Sequence, residues 1–260
     1  MNDIIINNFY TILKNYEYYS IKNYFMLKNF IIGHGKYGTV WFGIDLKKAK
    51  PIAIKVSNEE KKNIFLHTEF IMMKKLSKFK IFTKVYDEIN LLNNIYLIET
   101  LQGPDLSKIR KFYGKKFSTI TVYKIGIEIL RCLKLIHKSG YLYIDLKENN
   151  ISILFKPITY HKKINNLTLI DYGFCEKYDK DKNKSPKIHG HSSYASINSL
   201  KKNAISRKDD LIALCYFLVD LIDGSLPWDY ISNEDSKYNK IIALKEDYSF
   251  KKICNKDAKE

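Results

Sequence analysis

Between Tyr143 and Asn150 the chain reads Tyr-Ile-Asp-Leu-Lys-Glu-Asn-Asn. Asp145, Lys147 and Asn150 bring an acid, a base and an amide into one short stretch. On a loop, these three side chains can share a cleft and serve a phosphoryl transfer. Four other places carry matching chemistry. Glycines at 33, 35 and 38, followed by Val40, spell G-x-G-x-x-G-x-V. Glycines at that spacing let backbone N–H groups approach a polyphosphate with no Cβ in the way. Lys55 stands among apolar neighbours in Pro51-Ile-Ala-Ile-Lys-Val56. Glu69 falls on one helical stripe with Phe65, Met72 and Leu76. A carboxylate inside an apolar stripe is costly unless a cation meets it, and Lys55 is the nearest candidate. Asp171, at the end of the apolar run Leu167–Ile170 and two residues before Gly173, can ligate a metal.

Each feature alone has a plain structural counterpart. A glycine-rich hairpin needs no ligand, a strand lysine commonly faces solvent, and Asp-Tyr-Gly is an ordinary turn. The weight rests on their order along one chain and on the elements that must hold them. Thr39-Val-Trp-Phe42 after the glycines is β-branched and aromatic. The spacing therefore predicts a hairpin between two strands, whereas a dinucleotide-binding loop would lead into a helix. Ser57 with Glu60 has the form of a capping box for the helix that carries Glu69. Ile95–Glu99 reads as a strand that Gly103-Pro104 breaks, a connector between two lobes. Residues 119–138 read as a long amphipathic helix (Ile125, Ile129, Leu130, Leu133, Ile136), with Ser118 as N-cap and Gly140 as its stop. Ile151–Leu154 and Leu167–Ile170 read as short strands joined by a lysine-rich loop. Residues 175–192 read as a mobile surface loop, and Ser206–Asp210 caps a buried central helix over Leu211–Val219. The tail from 229 is charged and helical from about Tyr238.

Composition narrows the class. With 260 residues, 45% of them hydrophobic, the chain can bury a full core. The four cysteines are scattered and form no C-x-x-C pair, which argues against a zinc site or a disulfide framework and suits a reducing compartment. The N-terminus lacks the pattern of a signal peptide, and the longest apolar run is too short to span a bilayer. An intracellular location, cytoplasmic or nuclear, is expected. The net charge of +16 invites acidic partners, yet only three of the 44 basic residues are arginine, the usual reader of phosphate and base edges. Most of that charge reads as solvated lysine, and nucleic acid is not the expected partner.

The ordered set G-x-G-x-x-G-x-V, A-I-K, a helix glutamate, D-x-K-x-x-N and D-x-G resembles the eukaryotic protein kinases, and within them the casein kinase 1 superfamily, which includes the vaccinia-related kinases. Leu66–Glu69, Gly103–Leu106, Tyr194–Asn198, Ser206–Leu211 and Gly224–Trp228 look like casein kinase 1 wording, and Asp171-Tyr-Gly is similar to the vaccinia-related branch. The resemblance implies an α+β, two-lobed fold: an antiparallel sheet with one helix over residues 24–101, then a mainly helical, shortened lobe over 102–260, after an N-terminal extension of residues 1–23. It implies an ATP- and Mg²⁺-dependent kinase acting on serine or threonine of protein substrates, acidic ones among them. ATP would meet Ile32, Gly33, Gly35, Gly38, Val40, Ala53, Lys55 with its partner Glu69, and backbone near Glu99 and Leu101. Asp145 would take or orient the hydroxyl proton, Lys147 would stabilise the transferring group, and Asn150 and Asp171 would ligate Mg²⁺. Asp210 would brace the catalytic-loop backbone.

Three departures set further expectations. Tyr143-Ile144 replaces the His-Arg that kinases place before the catalytic aspartate, so control by an activation-loop phosphate is not expected. Tyr143 must fill the slot of that histidine. Ser193 stands where casein kinase 1 has an arginine that binds a substrate phosphate, which removes that means of reading primed substrates. A pseudokinase or scaffold, binding without turnover, is the alternative that these departures support.

Overall fold

The computed structural model describes residues 2–35, 37–57, 59–114, 116–154, 167–181, 190–231 and 236–247. The loop expected between the 151–154 and 167–170 strands and the tail past 247 lie outside the described residues, as do residues 182–189 of the expected 175–192 loop, within which Glu176–Lys177 forms a strand. The chain divides into two units. The first runs to Gly103 and includes Leu154 and Asp171–Gly173; the second holds the other described residues from Pro104 onward.

In the first unit, helix α1 (Asn2–Asn15) precedes strands β1 (Tyr18–Ile21), β2 (Tyr24–His34), β3 (Gly38–Asp45) and β4 (Lys50–Ser57). Helix α2 (Asn63–Leu76) and strands β5 (Val85–Leu91) and β6 (Asn94–Thr100) complete it. All six strands join in one antiparallel sheet, in the order β1-β2-β3-β4-β6-β5. Residues directly opposite in an antiparallel pair share a face, so the register sorts the side chains. Trp41, Ile54 and Ile98 lie opposite one another on one face. There Ile21, Met26, Ile52, Ile54, Ile89 and Ile98 form an apolar cluster. Val40, Lys55 and Leu97 are likewise opposite one another on the other face, with Phe42, Ala53 and Glu99 beside them. Helix α2 packs on β5 and β6. It buries Leu66, Met72, Met73 and Leu76 along with Glu69, whereas Phe65, assigned to the same stripe, is only partly buried.

The second unit holds α3 (Leu106–Tyr113), α4 (Thr119–Lys138) and four short strands: β7 (Tyr141–Leu142), β8 (Ile151–Ile153), β9 (Leu167–Leu169) and β10 (Glu176–Lys177). Helices α5 (Ile197–Leu200), α6 (Arg207–Asp223) and α7 (Lys237–Asp247) follow. Strand β7 pairs with β10 and β8 with β9, both antiparallel. An antiparallel sheet with α1 and α2 in the first unit and mainly helix in the second make this an α+β protein. Helix α4 has the limits its periodicity implies, Ser118 accepts from the Thr121 N–H as its cap, and Gly140 follows in a left-handed conformation at φ 85°.

Three local expectations need correction. Ser57 does not cap α2. A 3₁₀ turn at Glu60–Lys62 intervenes and α2 starts at Asn63. Ser57 Oγ instead accepts from the Ile95 N–H at 3.2 Å and bonds to Asn63, tying β4 to β6 and to the start of the helix. Leu130, assigned to the buried stripe of α4, is half exposed, while its neighbours Ile129 and Leu133 on the helix are buried. The run Leu211–Val219 is buried on one side only: Ala213, Leu214, Tyr216 and Phe217 are buried while Leu211 and Cys215 are exposed.

Candidate active site

The first unit builds an ionic group around Lys55. Its ammonium lies 2.6 Å from Glu69 Oε2 and 3.1 Å from Asp171 Oδ1. The Tyr172 N–H donates to the second Glu69 oxygen at 3.3 Å, so the helix carboxylate holds both the lysine and the Asp-Tyr-Gly backbone. Asp171 sits at φ 60°, a left-handed conformation that aspartate tolerates better than most residues. Gly173 packs closely two residues on: a Cβ there would lie 3.1 Å from the Phe65 carbonyl oxygen, a tight contact. Burial works against the Lys55 charge, but Asp171 and Glu69 outweigh it and hold the ammonium above the ordinary lysine range.

The glycine hairpin separates two reasons for glycine. A Cβ on Gly38 would meet the Val56 carbonyl oxygen at 2.7 Å, so strand packing alone demands glycine there. At Gly33 and Gly35 the nearest atoms would be 3.5 and 3.6 Å away, in ordinary contact. Neither the packing nor a positive φ asks for glycine at these two positions. Val40, Ala53 and Lys55 share one sheet face, with Val40 opposite both Gly33 and Lys55. Ile32 lies at the hairpin's exposed rim.

Glu99 has a second role beside its backbone. Its side chain lies on the Ala53–Lys55 face, within the field of Glu69, Lys55 and Asp171. Burial, then the neighbouring Glu69 carboxylate, push its carboxyl up to about 8 against the pull of Lys55. The strand pairs on both sides at Glu99, and the Thr100 N–H is still taken by Lys84. Leu101 is therefore the first residue beyond the ladder.

In the second unit the Tyr143–Asn150 stretch is held by backbone-directed bonds. The Asp145 N–H donates to Tyr143 O at 2.9 Å across Ile144, whose φ is 75°. This γ-turn is strained for a β-branched residue. Asp210 over-determines it. Its two oxygens accept the N–H groups of Tyr143 and Ile144 at 2.9 and 2.8 Å, and His137 Nε2 lies 2.7 Å away. Tyr143 is fully buried and its hydroxyl donates to Ile170 O at 2.6 Å. Among the described residues, Asp145 Oδ2 takes both Lys147 Nζ at 2.6 Å and Asn150 Nδ2 at 3.0 Å. Because the Asn150 amide nitrogen faces Asp145, its carbonyl oxygen faces elsewhere.

Sequence reasoning missed an ionic network that carries this loop. Arg110 on α3 bonds Glu148, next to Lys147, and Asp220 on α6, which also accepts the Tyr194 hydroxyl at 2.6 Å. The scarcity of arginine was a usable signal, since one of only three was bound to have a fixed partner. His191 was missed too. Burial and then the Lys147 ammonium hold its imidazole below the ordinary range, with Asp145 and Asp229 opposing. Only the fold shows its place: Gly190, at φ 81°, packs so close that a Cβ would lie 2.7 Å from Ile144 O.

The residues also fit Mg²⁺. Asp171 and Asn150 are hard oxygen donors, and Mg²⁺ is characteristically held by one or two protein ligands plus phosphate oxygens and water. Among the described residues, no helix is long and apolar enough to cross a membrane.

Comparison with known proteins gives the same reading. The profile of the protein kinase domain family matches residues 27–260. A probable serine/threonine-protein kinase of Dictyostelium discoideum is 29% identical over 228 residues, 83% of this chain and 45% of the relative. Casein kinase I homolog 3 of Schizosaccharomyces pombe is 28% identical over 240 residues, 88% of this chain and 54% of the relative. Casein kinase I homolog 1 of Saccharomyces cerevisiae is 29% identical over 220 residues, 81% of this chain and 40% of the relative. The chain spans about half the length of the curated relatives it matches.

Proposed function

The chain belongs to the protein kinase domain family, as a casein kinase 1-like eukaryotic protein kinase, and from that premise we propose that it transfers the γ-phosphoryl group of ATP to serine or threonine hydroxyls of proteins. The observation that supports the proposal is the arrangement at Asp145, whose Oδ2 meets both Lys147 and Asn150, with no partner for Oδ1 among the described residues. In this reading Asp145 orients the hydroxyl and takes its proton as oxygen bonds to the γ-phosphorus and the β–γ bridging bond breaks. Lys147 moves its charge toward the phosphoryl oxygens as they pass, and its presence favours serine and threonine. Lys55 anchors the α- and β-phosphates, kept charged by Glu69 and Asp171. Gly33 and Gly35, which the fold does not need as glycines, leave room for phosphates beneath the hairpin, with Gly38 between them and β4. Ile32, Val40 and Ala53 meet the adenine face, and backbone at Leu101 meets its edge, beside Glu99. Bound Mg²⁺, with Asp171 and Asn150 as ligands, supplies neutralisation of the phosphate charge.

The test is γ-phosphate transfer to dephosphorylated casein with Mg²⁺, beside Asp145→Asn. The expected loss of kcat is about 10²–10⁴-fold, the usual worth of a positioned acid–base group. Equal residual signal in the two proteins would sink the proposal. A second reading, binding without turnover, is favoured by one observation: three carboxylates, Glu69, Asp171 and Glu99, crowd Lys55. Thermal stabilisation by ATP with no transfer in the wild type would select it.

A further inference from the structure

In the second unit, Lys245 on α7 is 3% exposed, and among the described residues no carboxylate lies within ion-pair distance of it. Its Nζ donates to three backbone carbonyls, of Ser192 at 3.2 Å, Ser193 at 3.0 Å and Ala195 at 2.6 Å. Three acceptors match the three protons of an ammonium. The cation also stands over the rings of Tyr216 and Trp228, at 4.6 and 4.8 Å. Trp228 Nε1 donates to the Ser193 carbonyl as well, at 2.8 Å. Burial works against this charge and pushes it down to about 7, with Asp229 opposing. A buried cation without a counter-ion is expensive, and here it is spent on three carbonyls of one stretch of chain.

That stretch lies against the catalytic loop. Gly190 abuts the carbonyl of Ile144, the residue before Asp145. The His191 carbonyl accepts the N–H groups of Tyr194 and Ala195 at 3.0 and 2.8 Å, and its ring packs on Tyr194 at 5.2 Å. Its imidazole feels both Lys147 and Asp145. From Tyr194 the chain of contacts returns through Asp220 and Arg110 to Glu148.

We propose that Lys245 is a positioning residue: by tying down the carbonyls of Ser192, Ser193 and Ala195, it fixes the segment beside Asp145 that a protein substrate must pass. It thus governs acceptance of the protein and not of the nucleotide, whose anchoring lysine belongs to the other unit. The proposal rests on the kinase reading, and its test separates the two.

The experiment uses the full chain with Lys245→Met, which keeps the apolar stem over Tyr216 and Trp228 and removes all three bonds. The expected result is a KM for dephosphorylated casein raised about tenfold, equivalent to about 1.4 kcal/mol. KM for ATP stays within about twofold, and amide exchange from Tyr194 to Ser199 speeds up. Lys245→Arg, which restores donors, recovers part of the casein KM. An unchanged casein KM, or casein and ATP constants moving together with a lowered Tm, overturns the proposal. If the wild type transfers no phosphate, the kinase reading fails on its own and exchange decides: faster exchange confined to residues 192–199 supports the tether, unaltered exchange refutes it. Should Lys245→Met fail to fold, Lys245→Leu, which also lacks a donor, is read in the same way.

Discussion

Glu99 shows how one side chain can set the pH response of the whole first unit. Its folded-state carboxyl is pushed up to about 8 from an ordinary 4.5 by burial, with Glu69 adding to the shift. The folded protein therefore keeps a proton that the unfolded chain gives up above the ordinary value. Stability from this group is fully present below about pH 4.5 and is lost as pH rises through 8. Glu99→Gln keeps the shape and hydrogen-bonding capacity without the titration. Its expected outcome is a Tm that declines less steeply than the wild type's between pH 5 and 8, measured by thermal unfolding at stepped pH. Some decline remains, because burial also pushes Glu69 upward while Lys55 opposes it. Parallel curves for the two proteins would show that Glu99 does not carry the slope. At this scale the sequence was legible where a residue broke a local rule. Glu69 stood out as a charge within an apolar stripe, and the structure puts it on Lys55. The Glu99 side chain gave no such sign, because a glutamate near a strand end is ordinary until the strand register shows which face it takes.

Helix α6 supplies the fixed point of the second unit, and its first turn explains how. The Ser206 N–H donates to Asp209 at 2.7 Å, and Ser206 Oγ accepts from the Lys208 N–H at 3.3 Å. Asp209 also receives the Ser196 hydroxyl at 2.6 Å, while the next residue, Asp210, carries the strained Tyr143-Ile144 backbone. The cap therefore secures a turn that performs two tasks. Ser206→Ala is expected to cost about 1 kcal/mol, the usual worth of an N-cap. In a chain of this size that lowers Tm by about 2–4 °C. Calorimetry checks this, and kcat should stay close to wild type because Asp210 keeps its own bonds. A fall in kcat without a fall in Tm would mean that the cap acts on the loop directly. Local signals made α4 and α6 readable, since Ser118, Gly140 and Ser206 are strong end markers backed by long periodic runs. They failed at Ser57, where the same spelling that caps a helix instead bridges two strands and the helix start. That choice depends on β6, distant in sequence, and no local window contains it. The same holds for Leu130, whose burial depends on which neighbours α4 meets.

For the molecule as a whole, the charge of +16 matters through who approaches and how fast. All three arginines already have partners within the second unit: Arg110 bonds Glu148 and Asp220, Arg131 bonds Glu128, and Arg207 stands over the Tyr178 ring. The long-range field is therefore left to lysines, which are strongly hydrated point charges and poor readers of planar phosphate or base geometry. Such a field attracts acidic surfaces without fixing them. On the kinase reading, kcat/KM for an acidic protein such as casein should fall about tenfold as salt rises from about 20 mM to about 300 mM, as steering is screened. The loss should lie in KM, with kcat nearly constant, because Asp145, Lys147 and Asn150 are buried or bonded to each other and little screened. A neutral peptide with the same acceptor serine should show almost no salt effect. Steady-state kinetics on the two substrates across that range checks the claim. Equal salt dependence for both would show that salt acts on the site itself, and no dependence for either would show that the lysines do not steer the encounter.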